Sequence, residues 1–165
     1  MGTTIRPLRA EDRTALESFP LRVSPETART RFHGPMKMLT PATLDLLLGL
    51  EPGCREAVVA VDERGIAGVA RFARDACGDP ASGIAEIAII VADDRQRSGL
   101  GRDLMLALAG LARAAGIATF RATMQEDNDG ARRFVGRLAP GTPERFVRNT
   151  VVAELPVAAL VSERD

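Results

Sequence analysis

The sequence predicts a single α/β (α+β) domain over residues 1–165, built on a mixed central sheet. Three observations carry this. Apolar strand-like runs alternate with helix-like segments, the pattern of a layered mixed domain. Residues 84–116 run from an apolar strand through a charged glycine turn into a long apolar helix. A further strand follows at once, so the unit from Ile84 to Met124 closes a parallel crossover, expected to be right-handed.

The elements follow in order. Thr3–Pro7 reads as a strand. Ala10–Phe19 has helical spacing, with Glu11 and Asp12 in its first turn. Ser24-Pro25 and Thr40-Pro41 each place a capping hydroxyl before a helix-opening proline. The first of these helices stops at His33-Gly34-Pro35, and the second carries Leu44, Leu47 and Leu48 to Gly49. Ala57–Val61 and Ile66–Ala73 form a hairpin around Asp62-Glu63-Arg64-Gly65. After a polar loop come the strand Ile84–Val91 and the helix Gly99–Ala115, capped by Gly116. That helix reads as apolar nearly all round. Ile117–Met124, the helix Asp129–Leu138 and a hairpin from Arg145–Arg148 and Thr150–Leu155 complete the domain.

Bulk properties narrow the function. Lys+Arg and Asp+Glu each total 22, so the net charge is zero. That argues against nucleic acid or an anionic membrane as the main partner. The start of the chain has no apolar signal core, and no apolar run is long enough to span a bilayer. The two cysteines, Cys54 and Cys77, and the one histidine, His33, have no zinc-ligand spacing, so no metal is expected. The cysteines are expected to stay reduced in a cytoplasmic protein.

The turn at residues 93–102 holds the strongest chemical signal. A helix N-terminus after a glycine turn offers free N–H groups and positive potential to an anion. A dinucleotide fingerprint needs a third glycine that Gly99-Leu100-Gly101-Arg102-Asp103-Leu104 lacks. A P-loop fits nowhere. What stands here is Val91, four residues, then Gln96-x-x-Gly99-x-Gly101. The glycines remove two Cβ atoms where phosphates would approach. Arg95, Arg97 and Arg102 add charge.

This segment resembles the acetyl-CoA motif of the GNAT superfamily of N-acetyltransferases, and the element order fits from Thr3 to Leu155. The resemblance implies a mostly antiparallel sheet with helices on both faces and one parallel crossover. It implies acetyl-CoA as co-substrate, with its pyrophosphate on Gln96, Arg97, Ser98, Gly99, Leu100, Gly101 and Arg102. The strand before the turn is expected to carry a bulge and splay from its neighbour. Pantetheine would then pair with Ile89, Ile90 and Val91, and an N–H near Ile89 would polarise the thioester carbonyl. Asn128 holds the family's loop position for a further pantetheine contact.

An acyl transfer to an amine needs a base, because a free lysine has a pKa of ~10.4. Glu86 is the one carboxylate in Ile84–Val91, at the place of the family's catalytic glutamate, and it shares a face with Ala88 and Ile90. The family's acid, a tyrosine on the helix after the crossover, is missing: Asn128, Ala131, Phe134 and Val135 match the motif, and the chain has no tyrosine. Water would serve, or the thiolate would leave unassisted. The resemblance further implies that Arg22–Met38 holds the acceptor. That run is similar to bacterial protein-lysine acetyltransferases, which makes a protein lysine one acceptor and a small amine the rival. A catalytically degenerate acyl-CoA-binding module is the non-enzymatic alternative. The apolar tail Val157–Val161 is compatible with a homodimer.

Overall fold

A computed structural model describes residues 2–32, 40–79 and 81–160. Its seven-stranded sheet runs in the order β1-β2-β3-β4-β5-β7-β6. The strands are β1 (Thr4–Pro7), β2 (Arg55–Asp62), β3 (Gly65–Arg74), β4 (Ile84–Val91), β5 (Thr119–Gln125), β6 (Glu144–Val147) and β7 (Thr150–Pro156). The helices are α1 (Arg13–Ser18), α2 (Pro25–Phe32), α3 (Pro41–Leu48), α4 (Leu100–Ala114) and α5 (Asp129–Leu138). The pair β4–β5 is parallel and the other pairings are antiparallel. The expected mixed sheet and its one parallel crossover are both present.

Alternation along the strands sends side chains to two cores. On one face Ala70, Phe72, Ala85, Phe120 and Val151 pack with Leu104, Met105 and Leu108 of α4 and Val135 and Leu138 of α5. On the other, Val59, Ile66 and Val69 meet Leu16 of α1 and Leu44 of α3. Helices therefore cover both faces. Thr40 caps α3, its hydroxyl accepting from the Thr43 amide at 3.2 Å.

Three expectations change. Helix α4 is one-sided, because Leu100, Leu104, Met105, Leu108, Ala109 and Ala112 are buried while Arg102, Asp103 and Arg113 face water. Its helical period of 3.6 turns only one stripe inward. Within the C-terminal tail, Val157 and Leu160 are 1% and 2% exposed and belong to the domain's own core, while Val161 lies outside the described residues. The two cysteines are not free thiols but form a disulfide, with Cα atoms 5.4 Å apart. The β2–β3 hairpin explains the pairing, since Arg74 donates its amide to the Cys54 carbonyl and so brings Cys77 across the hairpin's open end.

The same end is fastened by Arg74. Its guanidinium donates to the carbonyls of Gly53, Ser82 and Ala115. One side chain thus ties the β2 entry, the loop before β4 and the last turn of α4, where free carbonyls favour a cation.

Candidate functional site

Parallel pairing of β4 with β5 covers Ile84, Ala85 and Glu86 and then stops, although β4 continues to Val91 and β5 to Gln125. The two strands fork just beyond Glu86. The expected bulge in β4 is absent: its register with β3 runs unbroken from Ala85 to Val91. The fork comes from the end of pairing alone, and the irregularity of this sheet lies between Ala60 and Val61 of β2.

Alternation decides which backbone groups line the fork. Ala92 donates its amide to Ala67 of β3, so Ile90 and Ala88 also turn their amides to β3. Ile89 and Val91 therefore face the fork, and Ile90 does not. The Val91 carbonyl is braced by Nε2 of Gln96 at 3.3 Å. The Gln96 amide group also donates to Thr27 and Asp93, so this side chain holds the turn's shape.

The turn itself is rich in free donors. Among the described residues, nothing accepts from the backbone amides of Arg97, Ser98, Gly99, Leu100, Gly101 and Arg102, and the first bonded amide is that of Asp103. Arg97 at φ 60° and Gly99 at φ 89° are both left-handed. Residues in that conformation turn successive amides to one side and form an anion nest. Of the three arginines, Arg95 is turned away, bonded to Asp62 at 3.0 Å and to Thr3 at 2.6 Å. Arg97 and Arg102 are exposed and carry no ion pair among the described residues.

The two glycines differ. A Cβ at Gly99 would meet nothing within 4 Å, so its glycine is required by φ. A Cβ at Gly101 would meet the Phe134 ring, so that glycine admits α5 rather than a phosphate.

Ion pairs anchor the turn. Arg22 donates to Asp62 at 2.9 Å and 3.0 Å and to Asp94 at 3.0 Å, and the Arg22 and Asp62 side chains are 7% and 8% exposed. Arg64 adds a bond to Asp94 at 2.7 Å, and Asp93 accepts from Ser24 and Thr27 at the start of α2. Arg22, expected in acceptor binding, is thus a structural side chain. Of the expected acceptor run Arg22–Met38, residues 33–38 lie outside the described residues.

Glu86 lies at the apex of the fork, half-buried between Ala73 of β3 and Arg121 of β5. Burial holds its carboxyl above the usual range, against a hydrogen bond from Thr123 and the charge of Arg121. A raised pKa makes it a stronger base. Arg121 does not neutralise it fully, because its guanidinium is bonded to Asp75 at 2.7 Å and Glu154 at 3.3 Å. Asn128 caps α5, its Oδ1 accepting from the Ala131 amide at 3.1 Å, which leaves its Nδ2 without a partner among the described residues. Val135, in the apolar stretch where the family's tyrosine is missing, is buried.

A sheet forked beside an amide-rich turn, with a carboxylate at the apex, suits a ligand with an anionic end and an extended, strand-like arm. A model of the acetyltransferase (GNAT) family matches residues 23–139. An acetyltransferase of Pseudomonas aeruginosa is 41% identical over 116 residues, which are 68% of this chain and 60% of that protein. The matched stretch therefore spans less than two thirds of that relative. The GNAT domain of S. lividans PAT superposes with a TM-score of 0.86 at 24% identity, covering 93% of this chain and 90% of that one. A Salmonella typhimurium protein solved with its cofactor acetyl-CoA gives 0.70 at 18% identity, covering 95% of both chains. The chain belongs to the acetyltransferase (GNAT) family.

Among the described residues, no helix is long and apolar enough to cross a membrane. Glu51, Cys54 and Cys77 are the described cluster with metal-ligand spacing, but the disulfide occupies both sulfurs.

Proposed function

We propose that this chain transfers the acetyl group of acetyl-CoA to a primary amine by direct attack, with Glu86 as general base. The observation that carries this is the run of six unpaired amides, Arg97 to Arg102, opening onto a fork whose apex is Glu86. The amides, with Arg97 and Arg102, fit a pyrophosphate. The Ile89 backbone groups and the Val91 amide, which face the fork, fit the amide-bearing arm that follows it, and the Nδ2 of Asn128, without a partner among the described residues, supports a further contact there.

In the reaction the amine lone pair attacks the thioester carbonyl carbon. The C–N bond forms, the C–S bond breaks, and CoA leaves as its thiolate. The proton lost by the amine passes to Glu86, directly or through one water, and returns through solvent. A thiolate of pKa roughly 8.5 leaves without a tyrosine's help. A protein lysine and a small amine both satisfy this chemistry.

The test is thiol release from acetyl-CoA against an amine panel, with acetyl-CoA binding measured in parallel. Binding with amine-dependent release supports the proposal. Binding without release from any amine would leave a degenerate acyl-CoA-binding module, and absence of binding would remove the site.

A further inference from the structure

Beside Glu86, on the same face of the sheet, a second charged side chain has no partner among the described residues. Arg71 of β3 lies opposite Ala88 of β4, and Glu86 lies opposite Ala73 of β3. The two are therefore diagonal neighbours across one strand pair, a spacing that long side chains bridge. Between them the floor is methyl groups, Ala73 and Ala88, both partly open to solvent. The α1/α3 layer covers Val59 and Val69 and leaves this patch beyond its edge.

Among the described residues, three guanidinium groups stand on this part of the face. Arg55 bonds to Glu51 at 3.2 Å, and Arg121 to Asp75 and Glu154. Arg71 alone has no hydrogen bond and no ion pair among the described residues, although it is partly buried. Residues 29–39, whose side chains are not described, contain no acid. A half-buried guanidinium whose donors have no acceptor among the described residues is costly, and the charge of Arg55 raises the local potential further.

Resting on the acetyl-transfer reading, we propose that Arg71 is an anion subsite, which takes the carboxylate of a small amino-acid acceptor while Glu86 receives its amine. The fork of a guanidinium matches a carboxylate with two parallel bonds. An amino acid carries its amine and carboxylate close together, as Glu86 and Arg71 demand. A lysine within a peptide carries its ε-amine on a long neutral stem, with no anion beside it.

The experiment measures acetylation of free amino acids, of the corresponding amino-acid amides and of a lysine-containing peptide, by wild type, Arg71→Gln and Arg71→Lys. Calorimetric binding of the same amino acids to the CoA-saturated proteins is measured alongside. Wild type is expected to favour the acid over its amide by roughly 10- to 100-fold in kcat/KM, as loss of a charge-assisted bidentate pair implies. Arg71→Gln erases that preference and Arg71→Lys keeps part of it. Equal use of acids and amides by wild type, preference for the lysine peptide, or an unchanged preference in Arg71→Gln overturns the subsite. Arg71-dependent binding without any turnover keeps the subsite and overturns acetyl transfer. Turnover of neutral amines without Arg71-dependent binding does the reverse. If Arg71→Gln fails to fold by circular dichroism, Arg71→Lys decides, because it keeps the charge and loses the bidentate fork.

Discussion

The ring of Phe134 stands where a side chain at position 101 would have to go. An ideal Cβ on Gly101 would lie 3.2 Å from Cε2 and 3.3 Å from Cζ of that ring, and 3.8 Å from Cδ1 of Ile89. The first turn of α4 is thus packed directly on α5, beside the fork. Gly101→Ala should cost about 1–3 kcal/mol by overpacking. Phe134→Leu in the same chain should recover part of it, a coupling that a double-mutant cycle of thermal midpoints would measure. Additive losses would show that the ring gives way freely.

The arginines of the turn should separate by role. Arg102→Gln should weaken CoA binding and flatten its dependence on salt, because an exposed phosphate contact is screened. Arg95→Gln should leave the salt dependence alone and lower stability, since Arg95 serves Asp62 and Thr3. Isothermal titration across a salt series, with a melt of each variant, distinguishes the two.

Glu86→Gln should bind CoA as wild type does and lose roughly 10²–10⁴-fold in turnover. The pH–rate profile should rise through the elevated pKa of Glu86, because only the ionised form accepts a proton. Stability has the opposite sign. A carboxyl whose folded pKa is raised contributes stability that is present below its unfolded value and lost as pH rises through the folded one. At neutral pH Glu86→Gln should therefore melt higher than wild type, and the gain should vanish in acid. Unchanged turnover would remove Glu86 as the base.

Asp12 and Asp62 are shifted the other way. Hydrogen bonds from Arg6 hold Asp12 below the usual carboxylate range, and those from Arg22 do the same for Asp62. Their contribution is present above the unfolded pKa of ~3.9 and is lost as pH falls through the depressed folded values. Acid unfolding should begin below about pH 4. Asp62→Ala leaves Arg22 buried without its main partner and should cost about 3–5 kcal/mol. Denaturant titrations at neutral and acidic pH check both.

Reduction of Cys54–Cys77 opens a covalent loop with a sequence separation of 23. The chain-entropy estimate for such a loop is about 3 kcal/mol. A thiol titration before and after reductant, paired with a melt, tests it, and two free thiols in the untreated protein would overturn the bond.

What the sequence made legible was local. The bounds of β4 and α5 follow from an uninterrupted apolar run and from Asn128 with the Asp129 start, and both match the structure. The motif at Gln96–Gly101 was readable, yet its physical division of labour was not. Gln96 braces a carbonyl, Gly99 accepts a left-handed φ, and Gly101 admits a ring from a helix some thirty positions on. The Arg22–Asp62–Asp94 cluster joins positions far apart in the chain, so no spacing signals it. The disulfide depends on a hairpin register that an irregularity at Ala60 and Val61 shifts. Arg71 was silent for a related reason. Within β3 it looks like one polar residue on an alternating strand, and its isolation becomes visible only once the partners of Arg55 and Arg121 are known.

The fork between β4 and β5 has one more consequence. It opens a strand edge in the interior of a seven-stranded sheet, and unpaired edges invite foreign strands. A ligand that lies in the fork and bonds Ile89 and Val91 acts as a substitute strand. It closes the sheet for as long as it stays, and by mass action it should raise the melting temperature with concentration. Under the proposed function the co-substrate would serve as chemical donor and as guard against strand exchange, and the empty protein would be the form most prone to self-association.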